Sequence, residues 1–196
     1  MRSHEINRTT AETKITLSLT LDGQGRSDID TGVGFLNHML TLFAFHSRFD
    51  LNIKCRGDVD VDDHHSVEDV GIALGQALKA TLYNKAGIAR YGQFLLPMDE
   101  ALVLCALDLS GRAFINFDVQ FPTEKVGTFD TELVREFMTS LSREAGMTLH
   151  FKMLSGFNTH HIIEAMFKGM GKALRQAVSA DAAFAGQAAS SKGILL

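Results

Sequence analysis

Apolar and polar residues alternate along some segments of the chain, and in others the apolar residues recur every three to four positions. Residues 64–83 and 160–178 carry broad apolar stripes at helical spacing, which predicts two long helices with Asp63 and Thr159 as their N-terminal caps. Strands are predicted where polar and apolar residues alternate and β-branched or aromatic side chains are frequent: residues 14–21, 102–109 and 113–121. Strands and helices in this mixed order predict an α+β fold, with a mostly antiparallel sheet covered on one face by helices.

The chain contains an internal repeat. Four pairs of segments match in the same order: 12–23 with 100–111, 37–42 with 136–141, 49–54 with 146–151, and 63–80 with 159–176. A single pair can match by chance, but four pairs in the same order indicate a duplicated unit. The repeat predicts two half-domains, residues 1–86 and 87–180, followed by a tail of residues 181–196.

The last pair of matching segments shares the motif His-His-x-x-Glu at the start of a predicted helix. The two copies are His64-His65 with Glu68 and His160-His161 with Glu164. Residues three apart share a helix face, so the second histidine and the glutamate of each copy are expected to bind one metal ion together. The first histidine of each copy would then point elsewhere, toward a second ion held mainly by the other repeat or another subunit.

The repeat also aligns His38 with Glu136, which makes both residues natural additional ligands. Imidazole and carboxylate ligands without thiolate favour Mn, Fe, Co, Ni or Zn. A lone histidine at a helix start is more often a cap or a surface group than a ligand. Two matched pairs with glutamate at the same offset favour a metal site.

Composition narrows the functional class. The net charge is −4 and the chain has no basic cluster, so nucleic acid is not an expected partner. The first residues lack the apolar stretch of a signal peptide, and no segment is apolar and long enough to span a membrane. Cys55 and Cys105 lie in apolar, strand-like runs and are expected to be reduced, which suits a cytoplasmic protein without a membrane partner.

Six segments together resemble the imidazoleglycerol-phosphate dehydratase family of histidine biosynthesis: TGVGFLNHML (31–40), DDHHSVEDVGIALG (62–75), RYGQFLLPMDEAL (90–102), SGRAFINFD (110–118), NTHHIIEAMFKGMGKALR (158–175) and SSKG (190–193). The resemblance covers essentially the whole chain. It implies two α+β half-domains related by a pseudo-twofold axis. It also implies trimers that assemble into a 24-mer with active sites between subunits, and two Mn²⁺ ions per site that bind the substrate imidazole as imidazolate.

The resemblance also assigns residues. One ion would be held by His38, His65, Glu68 and His160, and the other by His64, His161, Glu164 and Glu136, a position where some family members have histidine. Glu12 and Lys168 are the implied catalytic residues, Glu12 as the proton-transfer group. Substrate would be bound by Glu12, His38, His64, Glu68, Arg90, Arg112, His160, Lys168, Ser190, Ser191 and Lys192, with the arginines, Lys168 and the tail at the phosphate.

Two other classes of function remain open at this point. A two-metal phosphohydrolase would use similar ligands, although such sites usually rely on bridging aspartates, and Asp63 and Asp69 have no match in the second repeat. A non-catalytic metal-storage or assembly protein would not require Arg90, Arg112 or Lys168. Both alternatives fall if the protein with Mn²⁺ converts imidazole glycerol phosphate into the acetol phosphate, whereas release of inorganic phosphate would favour the hydrolase.

Overall fold

A computed structural model describes residues 1–193 and 195. The first half contains β1 (Ser3–Thr9), β2 (Thr13–Thr20), β3 (Ser27–Asp30), α1 (Gly34–Ser47), β4 (Asp50–Gly57) and α2 (His64–Leu82). The second half contains β5 (Tyr91–Met98), β6 (Ala101–Asp108), β7 (Phe114–Asp118), β8 (Lys125–Val126), β9 (Phe129–Asp130), α3 (Glu132–Ala145), β10 (Thr148–Ser155) and α4 (Thr159–Ala177). A short 3₁₀ turn, Ala182–Phe184, follows in the tail.

Each half forms a four-stranded sheet, in the order β1-β2-β4-β3 and β5-β6-β10-β7. The pairs β3–β4 and β7–β10 are parallel, and all other neighbours in these two sheets are antiparallel. Along β2 the side chains of Ile15, Leu17 and Leu19 are buried while the residues between them face outward, as alternation predicts. The predicted α+β class with mostly antiparallel sheets is confirmed.

The helices lie against the sheets and join the two halves. Helix α2 packs on β1 and β2 and against α3, whereas α4 packs on β5 and β6 and against α1. Each long helix therefore contacts the short helix of the other half, and the buried apolar side chains form one continuous core. The division at residues 86 and 87 stays a prediction.

Glycines allow these helix pairs to approach closely. A Cβ on Gly75 of α2 would lie 2.8 Å from the Leu141 carbonyl oxygen, and one on Gly171 of α4 would lie 2.9 Å from that of Phe43. Leu141 and Phe43 occupy the same place in α3 and α1 when the two helices are counted from their first residues. The same close contact thus occurs twice, and in the second case it brings α1 alongside α4, where the candidate site lies.

The start of α4 differs from the prediction. Asn158, not Thr159, caps this helix, because its side-chain oxygen accepts hydrogen bonds from the backbone N–H groups of His160 and His161. The Thr159 hydroxyl instead accepts hydrogen bonds from Thr123. Among the residues that the structure describes, no helix is both long and apolar enough to cross a membrane.

Candidate active site

One cluster of potential metal ligands forms where α1 meets α4. Glu164 Oε2 lies 3.2 Å from His160 Nε2 and 3.6 Å from His38 Nε2. One ligand atom from each of these three residues lies within 4.8 Å of the others. Within residues 1–193 and 195, no other group of three or more histidine, cysteine or acidic side chains is as close. A histidine pair with one carboxylate is a donor set that suits a divalent transition-metal ion.

Lys168 lies beside this cluster and contacts Glu164. Its ammonium pairs with Glu164, one helical turn earlier on α4, and lies 3.5 Å from Met98 Sδ. Burial alone would raise the pKa of the Glu164 carboxyl, but the hydrogen bonds and charges of Lys168 and His160 outweigh it and lower this pKa below its ordinary value. Glu164 is therefore ionised at neutral pH and able to act as an anionic ligand.

A corresponding group in the other half is more open. On α2, His64 Nε2 lies 4.0 Å from Glu68 Oε2, and Arg143 Nη2 lies 3.8 Å from Glu68 Oε1. Glu136 is half-buried on α3, in the place that His38 occupies on α1, and makes no hydrogen bond or ion pair with the part of the chain described. These residues share one helix pair without forming a closed cluster in the single chain.

The pairing within each His-His-x-x-Glu motif differs from the expectation. The first histidine of each copy faces the glutamate four residues on, whereas the expected partner was the second histidine, three residues before it. Both spacings bring side chains to one helix face, so the spacing alone does not choose between them. The second histidines, His65 and His161, turn away from the helix pairs toward other carboxylates.

His65 and His161 occupy similar surroundings. Asp58 Oδ2 lies 3.0 Å from His65 Nδ1, and Glu12 Oε1 lies 3.7 Å from His65 Nε2. Glu100 Oε2 lies 2.7 Å from His161 Nδ1. Hydrogen bonds to these carboxylates raise the pKa of both histidines above the ordinary value.

Glu100 is held in place by more than one group. The hydrogen bond from His161 lowers the pKa of its carboxyl to about 2, and hydrogen bonds from the backbone N–H groups of Asn158 and Phe157 act in the same direction. Glu100 is thus an anion at neutral pH. Its contacts join the start of β6 to the start of α4.

A groove of about 610 Å³ brings together the predicted phosphate-binding residues except Lys168, which pairs with Glu164 instead. Its lining includes Arg90, Arg112, Ser190, Ser191 and Lys192. The C-terminal tail reaches it by running beside the segment that precedes β5, through bridges between residues 86 and 188 and between residues 88 and 180. The tail is therefore part of a formed groove, and its sequence alone gave no sign of this.

Within the groove, the two arginines differ. Arg90 already makes a two-point ion pair with Asp108 and donates to the Ala189 carbonyl, so most of its guanidinium is occupied. Arg112 is exposed, and its side chain has no ion pair with any residue that the structure describes. Arg112 is thus the arginine with donors available for an anion.

Three functional candidates were not predicted from the sequence: Asp58, Glu100 and Asp108. Glu100 could have been found, because the internal repeat aligns it with Glu12, the predicted proton-transfer residue. Asp58 and Asp108 carry no such signal, since each is recognised only by the side chain that it contacts in the folded protein.

Comparison with known proteins gives a consistent result. The model of the family described as imidazoleglycerol-phosphate dehydratase matches residues 31–174. The chain is 58% identical to the imidazoleglycerol-phosphate dehydratase of Roseobacter denitrificans over the full length of both proteins. It is 55% identical to that of Desulforamulus reducens, over 99% of this chain and 98% of the relative.

Solved structures agree with these relatives. The imidazoleglycerol-phosphate dehydratase of Staphylococcus aureus is similar with a TM-score of 0.84 and 46% identity, over 91% of this chain and 99% of that one. The enzyme from Pyrococcus furiosus, solved in complex with (S)-C348, gives a TM-score of 0.83 and 39% identity, over 97% of this chain and 100% of that one.

The fold, the cluster and the relatives together define an enzyme of the hydro-lyase class. The chain belongs to the imidazoleglycerol-phosphate dehydratase family. Membership favours a dehydratase over the phosphohydrolase and storage alternatives.

Proposed function

We propose that this protein eliminates water from D-erythro-imidazole glycerol phosphate to give imidazole acetol phosphate in histidine biosynthesis. The observation that carries the proposal is the cluster of His38, His160 and Glu164, whose ligand atoms lie within 4.8 Å of one another. The formed cationic groove adds a second binding region suited to a phosphate group.

The donor set fits Mn²⁺, because imidazole nitrogen and carboxylate oxygen are both ligands that this ion accepts. We propose two ions per active site, with His38, His65, Glu68 and His160 as one ligand set and His64, Glu136, His161 and Glu164 as the other. When bound, the ions would act as Lewis acids that stabilise the imidazolate form of the substrate. In the single chain Glu164 lies beside His38 and His160, which the proposal assigns to the other ion.

The protein side chains would bind the phosphate and move the protons. Arg112 and Lys192 supply positive charge in the groove, with the Ser190 and Ser191 hydroxyls as further donors. Glu12 lies at the turn before β2 with its carboxylate half-exposed, which suits transfer of a proton to and from substrate carbon. Lys168, beside Glu164, would stabilise negative charge near the cluster or donate a proton there.

We further propose that active sites lie between subunits, in trimers that build a 24-mer. The argument is that a single chain holds a cluster of three potential ligands, while His65 and His161 face away from it. Ligands from a second subunit would complete each set. We expect the enzyme to act in the cytoplasm, where the buried free thiols of Cys55 and Cys105 stay reduced.

The activity test uses purified protein loaded with Mn²⁺ and imidazole glycerol phosphate. Formation of imidazole acetol phosphate without release of inorganic phosphate is the expected result. Release of inorganic phosphate would show a phosphohydrolase instead, and absence of any turnover would contradict both functions.

The metal test measures bound manganese directly. His65→Ala and His161→Ala are each expected to lose metal and activity, and two ions per chain retained in both variants would overturn the ligand assignment. Chelation followed by size-exclusion chromatography tests the assembly. A later elution volume is expected, and an unchanged volume would argue against packing through metal ions.

A further inference from the structure

Glu100 fixes the proton of the His161 ring. A carboxylate can only accept hydrogen bonds, and Glu100 Oε2 lies 2.7 Å from His161 Nδ1, so that nitrogen carries the hydrogen. The lone pair of the neutral ring is then on Nε2. The other oxygen of Glu100 accepts hydrogen bonds from the backbone N–H groups of Asn158, at 2.8 Å, and Phe157, at 3.2 Å. These two bonds prevent the carboxylate from turning.

Asp58 performs the same task for His65. Its two oxygens lie 3.0 and 3.2 Å from His65 Nδ1, which places the hydrogen on Nδ1 and the lone pair on Nε2. Among the residues that the structure describes, the Asp58 carboxylate has no hydrogen bond or ion pair with a side chain or backbone N–H other than the one with His65. Unlike the carboxylate of Glu100, that of Asp58 has no backbone N–H group that fixes which of its oxygens faces the histidine.

The two halves use different carboxylates to hold the second histidine of the motif, because the loops before α2 and α4 differ in length. Glu100 and Glu12 are equivalent in the internal repeat, each preceding the second strand of its sheet. The segment that joins β4 to α2, residues 58–63, is longer than the one that joins β10 to α4, residues 156–158, and it supplies Asp58. In the second half no such aspartate precedes the helix, and Glu100 contacts the histidine instead.

This exchange leaves Glu12 available. The Glu12 side chain is 51% exposed and lies near Nε2 of His65, whereas that of Glu100 is 20% exposed and bonded to Nδ1 of His161. A group that transfers protons, as proposed for Glu12, must be able to reach the substrate. A group that orients an imidazole ring, as proposed for Glu100, must itself be fixed in position.

We propose that Glu100 and Asp58 are positioning residues, which hold His161 and His65 with the hydrogen on Nδ1 and present Nε2 as the ligand atom. Asp58 thereby frees Glu12, the repeat counterpart of Glu100, for proton transfer. The inference rests on the proposed function, in which both histidines bind metal. Partners that orient ligating histidines in this way commonly affect metal affinity 10- to 100-fold.

Glu100→Gln gives a specific test. The backbone N–H groups of Phe157 and Asn158 need an oxygen acceptor, so the amide oxygen of the glutamine occupies the position of Glu100 Oε1. The amide nitrogen then faces His161 Nδ1. An NH₂ group can only donate there, which moves the imidazole hydrogen to Nε2. The variant should keep the fold, since the bonds at the start of α4 are retained, and circular dichroism checks this.

The first readout is made without metal. Nitrogen-15 solid-state NMR of metal-free protein labelled at histidine, above the pKa of the rings, distinguishes Nδ1–H from Nε2–H, and His161→Gln assigns the signals. The wild type is expected to show Nδ1–H at His161, and Glu100→Gln to show Nε2–H. An unchanged Nδ1–H form in Glu100→Gln would overturn the proposal whatever the metal does.

The second readout is Mn²⁺ affinity by competition with a chelator. Glu100→Gln should weaken binding of one ion by about 10- to 100-fold. Asp58→Asn is the matched control, because its amide can turn its oxygen toward Nδ1, so a smaller loss is expected. Equal losses would contradict the role of the two backbone N–H groups. A changed tautomer with unchanged affinity would show that His161 is not a ligand, which is a failure of the proposed function and not of the orientation.

Discussion

The guanidinium of Arg90 holds the C-terminal tail and the end of β6 together. Its Nε lies 2.7 Å from Asp108 Oδ1 and its Nη2 lies 3.0 Å from Asp108 Oδ2, while Nη1 donates to the Ala189 carbonyl at 2.8 Å. The hydrogen bonds to Asp108 raise the pKa of Arg90. Because the tail forms one side of the groove proposed to bind phosphate, we expect this ion pair to affect both protein stability and substrate binding.

Asp108→Asn should therefore lower the stability of the protein and weaken substrate binding. Removing the charge from a largely buried pair is expected to cost about 1.5–3 kcal/mol of unfolding free energy, measured by urea denaturation. KM for the phosphorylated substrate should rise, with a smaller change in kcat, because the groove loses its support. Asp118→Asn, in an exposed pair with Lys152, should cost less than about 1 kcal/mol. Equal costs for both variants would contradict the role given to Arg90.

Asp69 joins the helix that carries His64 and His65 to the turn that carries Glu12. Its Oδ2 accepts hydrogen bonds from the Thr13 hydroxyl and from Arg8. Asp69→Ala should lower the unfolding free energy by about 2–3 kcal/mol, since it leaves the buried Thr13 hydroxyl and the partly buried Arg8 guanidinium without this acceptor. It should also lower kcat by displacing Glu12. Asp28→Ala, which removes an exposed pair with Lys54, serves as the control in the same denaturation and kinetic assays. An Asp69→Ala variant with the stability and kcat of the wild type would show that Asp69 does not hold Glu12 in position.

Gly92 allows β5 to lie directly on α4. A Cβ at this position would overlap the Ala173 carbonyl of the helix. Gly92→Ala should therefore destabilise the protein by about 1–3 kcal/mol, seen as a lower midpoint of denaturation. Gly34→Ala is the matched control, because in the described part of the chain no atom beyond its neighbours and its own helix backbone lies within 4 Å of the added Cβ, and alanine favours the helix that begins there. If the two variants were equally stable, the close approach of β5 to α4 would be wrong.

The ion pair of Arg2 with Asp22 should contribute a pH-dependent part of the stability. The hydrogen bond from Arg2 outweighs the opposing effect of burial and lowers the pKa of Asp22 in the folded state. A depressed folded pKa means that the contribution is present above the unfolded pKa of about 3.9 and is lost as pH falls through the folded value.

Asp22→Asn is thus expected to be less stable than wild type at pH 7 by about 0.2–1 kcal/mol, a small figure because the pair is partly exposed. Denaturation from pH 7 to pH 2 should show this difference shrinking below about pH 4. Asp60→Asn, at an exposed position, is the control and should show no such trend. A difference that grows toward acid pH would have the wrong sign for this pair.

Much of the fold followed from local pattern. The strands predicted at 14–21 and 102–109 occur at Thr13–Thr20 and Ala101–Asp108, and the long helices at His64–Leu82 and Thr159–Ala177. The cap of α4 was misassigned because both Asn158 and Thr159 favour that position, and the hydroxyl of Thr159 is used by Thr123. That choice depends on a contact between segments distant in sequence.

The sequence by itself determined the order of the elements, the duplication and the residue types of the site, because periodicity and repeated motifs are local properties of the chain. Only the tertiary structure decided which histidine of each His-His-x-x-Glu motif faces the glutamate. The packing of α1 on α4 brings His38 to His160 and Glu164, while Glu100 and Asp58 turn His161 and His65 away. Neighbouring residues on a helix point about 100° apart, so the contacts made by each face, which come from remote parts of the chain, set the role of each side chain.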